Sequence, residues 1–272
     1  MRKGELRRIV SFLLAVTFIV TTGLMVEQTL DKRKARAIYE EAMAAAMAQS
    51  QITEEASVPA AATPPVSSLP ALPAFSLDEA DAFLQTVDIT ALRQTNTDVL
   101  GWLHIPGSVI SYPLMRSHDN IDYLYHAWDG SPNVAGSIFL EQHSSPDFTD
   151  FNTIVYGHSM ADGSMFAELH KYQWQDVPET FPYLYIAIDG AVLRYAVFAC
   201  YEASISSDTY RLSFADDAAR EHAIANYLTQ SSVTMPLSVT AQDHVLTLST
   251  CTGNQKDLRL VVQAVLDGIL PR

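Results

Sequence analysis

From Gly101 onward the chain is a succession of short apolar runs broken by turn residues, and this pattern restricts the fold more than any other feature. WLHI stops at Pro106-Gly107, NTIVY at Gly157 and YLYIAI at Asp189-Gly190; SIFL, VLRYAVFACY, HVLTLST and LRLVVQAVL complete the series. Runs of this length, rich in β-branched and aromatic residues, read as strands, and Asp-Gly between two of them is a hairpin signal. Two segments break the pattern with helical spacing: one near Ser164–Tyr172, the other Ala215–Gln230 (ADDAAREHAIANYLTQ), with acidic residues in its first turn where the helix dipole favours them. Many strands and few helices indicate a β-barrel or sandwich with helical insertions.

Before this region, Ser76 and Glu79 have capping-box spacing, and apolar positions 77, 80, 83, 84 and 87 continue a helical period. Further upstream the chain changes character. Arg2, Lys3, Arg7 and Arg8 precede an uncharged run from Ile9 to Val26. Eighteen helical residues span roughly 27 Å, close to a hydrocarbon core. The run exceeds most signal-peptide apolar regions, and no small-x-small site follows it directly, so an uncleaved anchor is expected over 9–26, with a cleaved signal as runner-up. Lys32, Arg33, Lys34 and Arg36 balance the basic residues on the other side, so charge counting leaves the orientation open. Asp31–Gln49 is a strong helix former, and residues 56–75, uncharged with prolines at 59, 64, 65, 70 and 73, read as an extended spacer. The expected organisation is a basic tail 1–8, an anchor 9–26, a helical then Pro/Ala-rich stalk 27–75, and one folded domain 76–272.

Charge excludes one class of partner. Residues 76–272 hold 9 basic and 24 acidic side chains, a poor surface for nucleic acid, which needs clustered Lys and Arg. Two cysteines exclude a disulfide-dense scaffold and a four-cysteine zinc site, and the histidines show no HExxH pairing; no metal or other cofactor is expected.

Two strand ends could carry chemistry. NTIVYGHSM presents His158 in a turn after a β-run; LTLSTC ends at Cys251, and after a polar loop a new strand opens with Arg259. Cys200, inside YAVFACY, reads as an inert core residue. A cysteine reacts as its thiolate, which a neighbouring imidazolium and guanidinium both favour. Attack on a carbonyl then needs a donor for the oxyanion and an acid for the leaving amine. Arg259, always protonated, suits the first role and His158 the second. Seven residues separate Cys251 from Arg259, against five in the tyrosine-phosphatase loop, which leads into a helix and not a strand. A Cys200–Cys251 disulfide stands as an alternative that would remove the nucleophile.

NTIVYGHSM followed by GSMF, then TLSTC and RLVV, resembles the sortase family; TDVLGWLHIPGSVISYPL, the DYL at 122–124 and GSIFLEQ extend the likeness from about Asp88 to Leu266. Helices before the strands and the helical insertion at 215–230 ahead of the Cys strand resemble class B. The resemblance implies a mainly β fold, a closed eight-stranded barrel with N-terminal helices, on the outer face of a Gram-positive cell membrane with the N-terminus cytoplasmic. It implies a cysteine transpeptidase that cuts a C-terminal sorting signal after its Thr. Cys251 would form the thioester, Arg259 would hold substrate and oxyanion, and His158 would serve as acid and then base. The implied partners are sorting-signal-bearing surface proteins, a peptidoglycan-precursor or pilin amine acceptor, and the membrane through the N-terminal helix. Asn120, Leu124, Tyr210 and Ser249 stand where class B enzymes line the substrate groove, whereas Thr252-Gly253 departs from relatives with an acidic or aromatic residue there. A pilin-polymerising enzyme and an inactive barrel serving as an interaction module are the competing readings.

Overall fold

The computed structural model describes residues 3–47, 69–70, 72–251 and 257–272. Most of the Pro-rich stretch 56–75, and the Thr252-Gly253 departure, lie outside the described residues. The expected strands form: β1 (Val99–His104), β2 (Ser111–Arg116), β3 (Ile138–Leu140), β4 (Asn152–Tyr156), β5 (Tyr183–Ile188), β6 (Ala191–Ser204), β7 (Val245–Cys251) and β8 (Leu258–Pro271). They close into a barrel in the order β1-β2-β3-β4-β7-β8-β6-β5. The β2/β3 and β4/β7 pairs are parallel; the other pairs are antiparallel.

Period-2 alternation decides the barrel's inside. On β7, Leu246 and Leu248 join the interior cluster, while Val245 joins an outer one; on β8, Leu260, Val262 and Ala264 point in, and Val261 and Val265 out. With eight strands the lumen is just wide enough for side chains to fill it, which Leu103, Leu114, Ile138, Leu140 and Val155 do from the remaining wall. A register shift between Val197 and Ala199 places two successive residues, Phe198 and Ala199, on the outer face and returns Cys200 to the interior.

Helices cover the outer face. α1 (Lys3–Met47) is 45 residues long; α2 (Ile89–Thr95) is capped by Asp88, whose carboxylate accepts from Ala91 N at 2.8 Å. A short α3 (Asp176–Thr180) follows a 3-10 stretch over Ala167–Gln173. α4 (Asp217–Gln230) is the expected insertion, capped by Asp216 onto Ala219 N, with Ala223, Ile224 and Tyr227 buried against Phe198, Tyr201 and Val261. The capping box expected at Ser76/Glu79 does not form. That segment lies along the barrel instead, with Phe75 stacked on Tyr185 and Asp81 paired with His104, and only a 3-10 turn at Ala82–Gln85 survives of the helix.

The N-terminal segment requires a correction. Among the described residues no helix is long and apolar enough to cross a membrane, so the single-pass anchor over 9–26, and the membrane placement with an extracellular domain built on it, are not upheld. The apolar run is one part of α1, which passes through Thr21, Thr22 and Gly23 and continues unbroken into Glu27, Asp31 and four basic residues. The C-terminal part of that helix packs on the barrel. Ala42 and Ala46 are fully buried beside Leu84, Leu92 and Trp128; Trp128 Nε1 donates to Ile38 O at 3.1 Å, Asp88 N to Ala46 O at 2.8 Å, and Tyr39 Oη to Gly136 O.

Candidate active site

Backbone register brings the three proposed catalytic positions to one end of three adjacent strands. In the parallel β4/β7 pair Tyr156 lies opposite Ser249, and Gly157 N donates to Ser249 O at 3.2 Å, so His158 leaves the ladder beside the end of β7. In the antiparallel β7/β8 pair Cys251 and Arg259 are direct partners. Facing residues on neighbouring strands have Cα atoms about 4.5–5.5 Å apart. The side chain of Cys251 lies outside the described part of the structure.

His158 is half-buried, and its Nε2 lies 2.8 Å from the backbone oxygen of Leu124. A carbonyl only accepts, so Nε2 carries a hydrogen and, in the neutral ring, Nδ1 carries the lone pair. Leu124 closes the 3-10 turn Asp122–Leu124, and Gly136 lies against that turn with φ +56°. A Cβ at Gly136 would meet Tyr123 O at 2.6 Å and Leu124 O at 2.8 Å, a clash no side chain tolerates. Arg259 is half-buried, with Nη1 donating to Leu258 O at 2.9 Å.

Tyr210 and Ser249 come together: their hydroxyls are 2.9 Å apart, and Ser249 is buried. The Tyr210 ring also stacks on Tyr156, centroids 6.4 Å apart and planes 22° from parallel. Tyr156 is a residue that the sequence reading missed. Burial drives its phenol well above the ordinary range; the Glu141 carboxylate pushes the same way, and the Arg259 guanidinium opposes it. The signal available for it was its place at the end of a β-run, immediately before Gly157-His158.

Asn120 sits apart from this group in its bonding. It adopts φ +58°, its Nδ2 donates to Glu141 Oε1 at 2.6 Å, and its Oδ1 accepts from Gln142 N at 2.8 Å. Its amide is therefore engaged in bracing the loop after β2 against the loop after β3. Glu141, buried, also accepts from His143 N and Ser144 N, which disperses its charge over several donors.

Cys200 is a free thiol, buried, with desolvation pushing it up to about 12. It pairs with Val262 on one side of β8, whereas Cys251 pairs with Arg259 on the other, three residues away. Two strand spacings of about 4.8 Å and three rises of about 3.3 Å separate the two Cα atoms by about 14 Å, twice the reach of a disulfide. The disulfide alternative fails on distance.

The barrel aligns a histidine, a cysteine and an arginine at adjoining strand ends, residue types of the kind that thiol acyl transfer uses. Comparison with known proteins gives that class its family. A sortase-domain family model matches residues 103–267. Sortase B of Listeria monocytogenes is 35% identical over 184 residues, 66% of this chain and 74% of the relative. Sortase B of Staphylococcus aureus is 29% identical over 178 residues, 64% and 72% respectively. The structure of the S. aureus sortase B–substrate complex superposes with a TM-score of 0.69 at 23% identity, covering 89% of this chain and 99% of that one, and bears on the fold. The chain belongs to the sortase family, class B, and is a cysteine transpeptidase.

Proposed function

We propose that the enzyme cleaves a C-terminal sorting signal after its Thr and transfers the acyl part to an amine of the cell-wall precursor. Cys251, as thiolate, attacks the Thr carbonyl carbon; the carbonyl π electrons move to oxygen, where the guanidinium of Arg259 stabilises them. When the C–N bond breaks, His158 gives its proton to the departing amine and a thioester remains on Cys251. The incoming amine loses a proton to His158 as it attacks, and the thiolate leaves. With Nε2 committed to Leu124, the proton in transit is that of Nδ1.

The observation that supports this most is the register: Tyr156 opposite Ser249, with His158 two residues on, and Cys251 opposite Arg259. Membership of the sortase family supports a sorting-signal substrate and an amine acceptor. Leu124, Tyr156, Tyr210 and Ser249 form the groove wall beside the nucleophile in this reading, and Asn120 sets the loop opposite through Glu141. The catalytic unit is residues 76–272, with the end of α1 as an accessory element packed on it.

The test is incubation of the full chain with peptides of the LPxTG and NPxTN patterns plus candidate amines, reading cleavage and ligation together. The expected product is a peptide joined through its Thr to the amine. Arg259→Lys is expected to lose most of the activity, because an ammonium lacks the planar two-pronged donor; near-normal kcat in that variant would refute the oxyanion role.

A further inference from the structure

Below the groove wall lies a polar group of side chains that the reaction does not touch. Asn152, Thr247 and Gln263 are fully buried, and Thr209 and Tyr201 nearly so, on β4, β7, β8, the turn at Asp208–Tyr210 and β6. Their hydrogen bonds form a closed ring with one possible direction. Tyr201 Oη donates to Gln263 Oε1 (3.2 Å), so the Thr209 hydroxyl donates to Tyr201 (3.1 Å). Gln263 Nε2 donates to Thr247 Oγ1 (3.0 Å), and Thr247 donates to Asn152 Oδ1 (2.7 Å). Asn152 closes the ring: its Nδ2 donates to Thr209 O and to Arg211 O, both at 3.0 Å. Those two carbonyls flank Tyr210. One buried amide grips the backbone on either side of the tyrosine that reaches Ser249 and Tyr156.

We infer that Asn152 is a positioning residue for the transpeptidation, holding Tyr210 at the groove wall; this rests on the reading that Tyr210 lines the groove. Asn152 lies six residues before His158, and Thr247 four before Cys251, so about 13 Å or more of strand separates the ring from the reacting atoms. Asn152 acts only through what it holds. Consecutive bonds pointing the same way polarise one another, and a buried ring whose bonds run in one direction is suited to fixing a loop. Without Asn152, Thr209 O loses a buried donor and the turn has alternatives to its present place.

The experiment uses the full chain as wild type, Asn152→Ala, Tyr210→Ala and the double variant. It measures kcat and KM for a fluorogenic NPxTN-pattern peptide and the rate at which iodoacetamide alkylates Cys251. Asn152→Ala is expected to raise KM about five- to tenfold, the equivalent of one buried hydrogen bond, with kcat and alkylation within about twofold. In the Tyr210→Ala background it is expected to add nothing. Two independent effects that multiply in the double variant would overturn the inference, because a merely structural residue behaves that way. If Tyr210→Ala raises KM and Asn152→Ala, folded, does not, the inference falls alone; if Tyr210→Ala leaves KM unchanged, the groove reading falls and takes it along. Should Asn152→Ala fail to fold, Asn152→Ser, too short to reach either carbonyl, is read by the same criteria.

Discussion

The imidazole Nε2 of His158 donates to the backbone oxygen of Leu124 across 2.8 Å, which ties the proposed acid–base group to the loop between β2 and β3. A backbone carbonyl cannot be removed by substitution, but it can be displaced. Gly136 presses on that turn, with Leu124 O 2.8 Å from where a Cβ would stand and a φ of +56°. Gly136→Ala is therefore expected to cost about 1–3 kcal/mol of stability and to lower kcat/KM about tenfold or more at a temperature where the variant is fully folded. Chemical denaturation and steady-state kinetics on the same preparation check both parts. Unchanged kcat/KM would separate the Leu124 contact from catalysis.

Helix α1 offers a second test. Its positions 35, 39, 42 and 46 face the barrel, and Ala46 O accepts from Asp88 N at 2.8 Å. Removing residues 1–34 is expected to leave the melting temperature nearly unchanged, whereas removing 1–47 should lower it by about 5 °C or more, since one kcal/mol moves a domain of this size by about 2–4 °C. Equal melting temperatures for the two truncations would mean that the helix contact contributes nothing.

A pH effect follows from His104. Its Nε2 meets Asp81 Oδ1 at 3.1 Å, and its Nδ1 is buried without a hydrogen-bond partner. Burial lowers its pKa from the ordinary 6.5, with Asp81 opposing in part. The unfolded chain then binds a proton that the fold resists, so this residue's contribution is complete above about pH 6.5 and is lost as pH falls from there through its own lower value. Urea unfolding at pH 7.5 and pH 5 is expected to show a fall in stability that His104→Gln makes shallower. A variant with the wild-type pH slope would place the effect elsewhere.

Cys200 supplies a control. Enclosed in the barrel with its thiol pushed up to about 12, it is inert at neutral pH. Iodoacetamide is expected to modify one thiol per native chain, and Cys200→Ala to keep peptide cleavage at near wild-type rate. Modification of both thiols without unfolding would contradict the burial.

Much of this was legible in the sequence because strands advertise themselves locally. Alternation in HVLTLST and LRLVVQAVL, and turns such as Asp189-Gly190, where Gly190 takes φ +80°, report nearest-neighbour physics. Ser76 and Glu79 misled for the same reason: a local capping pattern lost to the tertiary stacking of Phe75 on Tyr185 and the pairing of Asp81 with His104. The apolar run in α1 carried a membrane signal, yet the helix is continuous with a charged, barrel-packed segment, which residue-by-residue hydropathy does not register. Positions 35, 39, 42 and 46 are three alanines and one tyrosine, which say little about their partner until the barrel exists. Asn152, Thr247 and Gln263 are polar residues inside apolar runs that the sequence reading passed over; that their bonds close on one another depends on β4, β7 and β8 being adjacent, which no local pattern encodes.

The central claim is that the thiol at the end of β7 takes up the substrate's acyl group. Intact-mass measurement of the full chain after rapid quenching with an NPxTN-pattern peptide tests it. The expected result is a mass gain equal to the peptide's N-terminal acyl portion, mapped to Cys251, discharged by hydroxylamine and absent from Cys251→Ala. Cleavage of the peptide by Cys251→Ala at the wild-type rate, or an acyl group mapped to another residue, would contradict it.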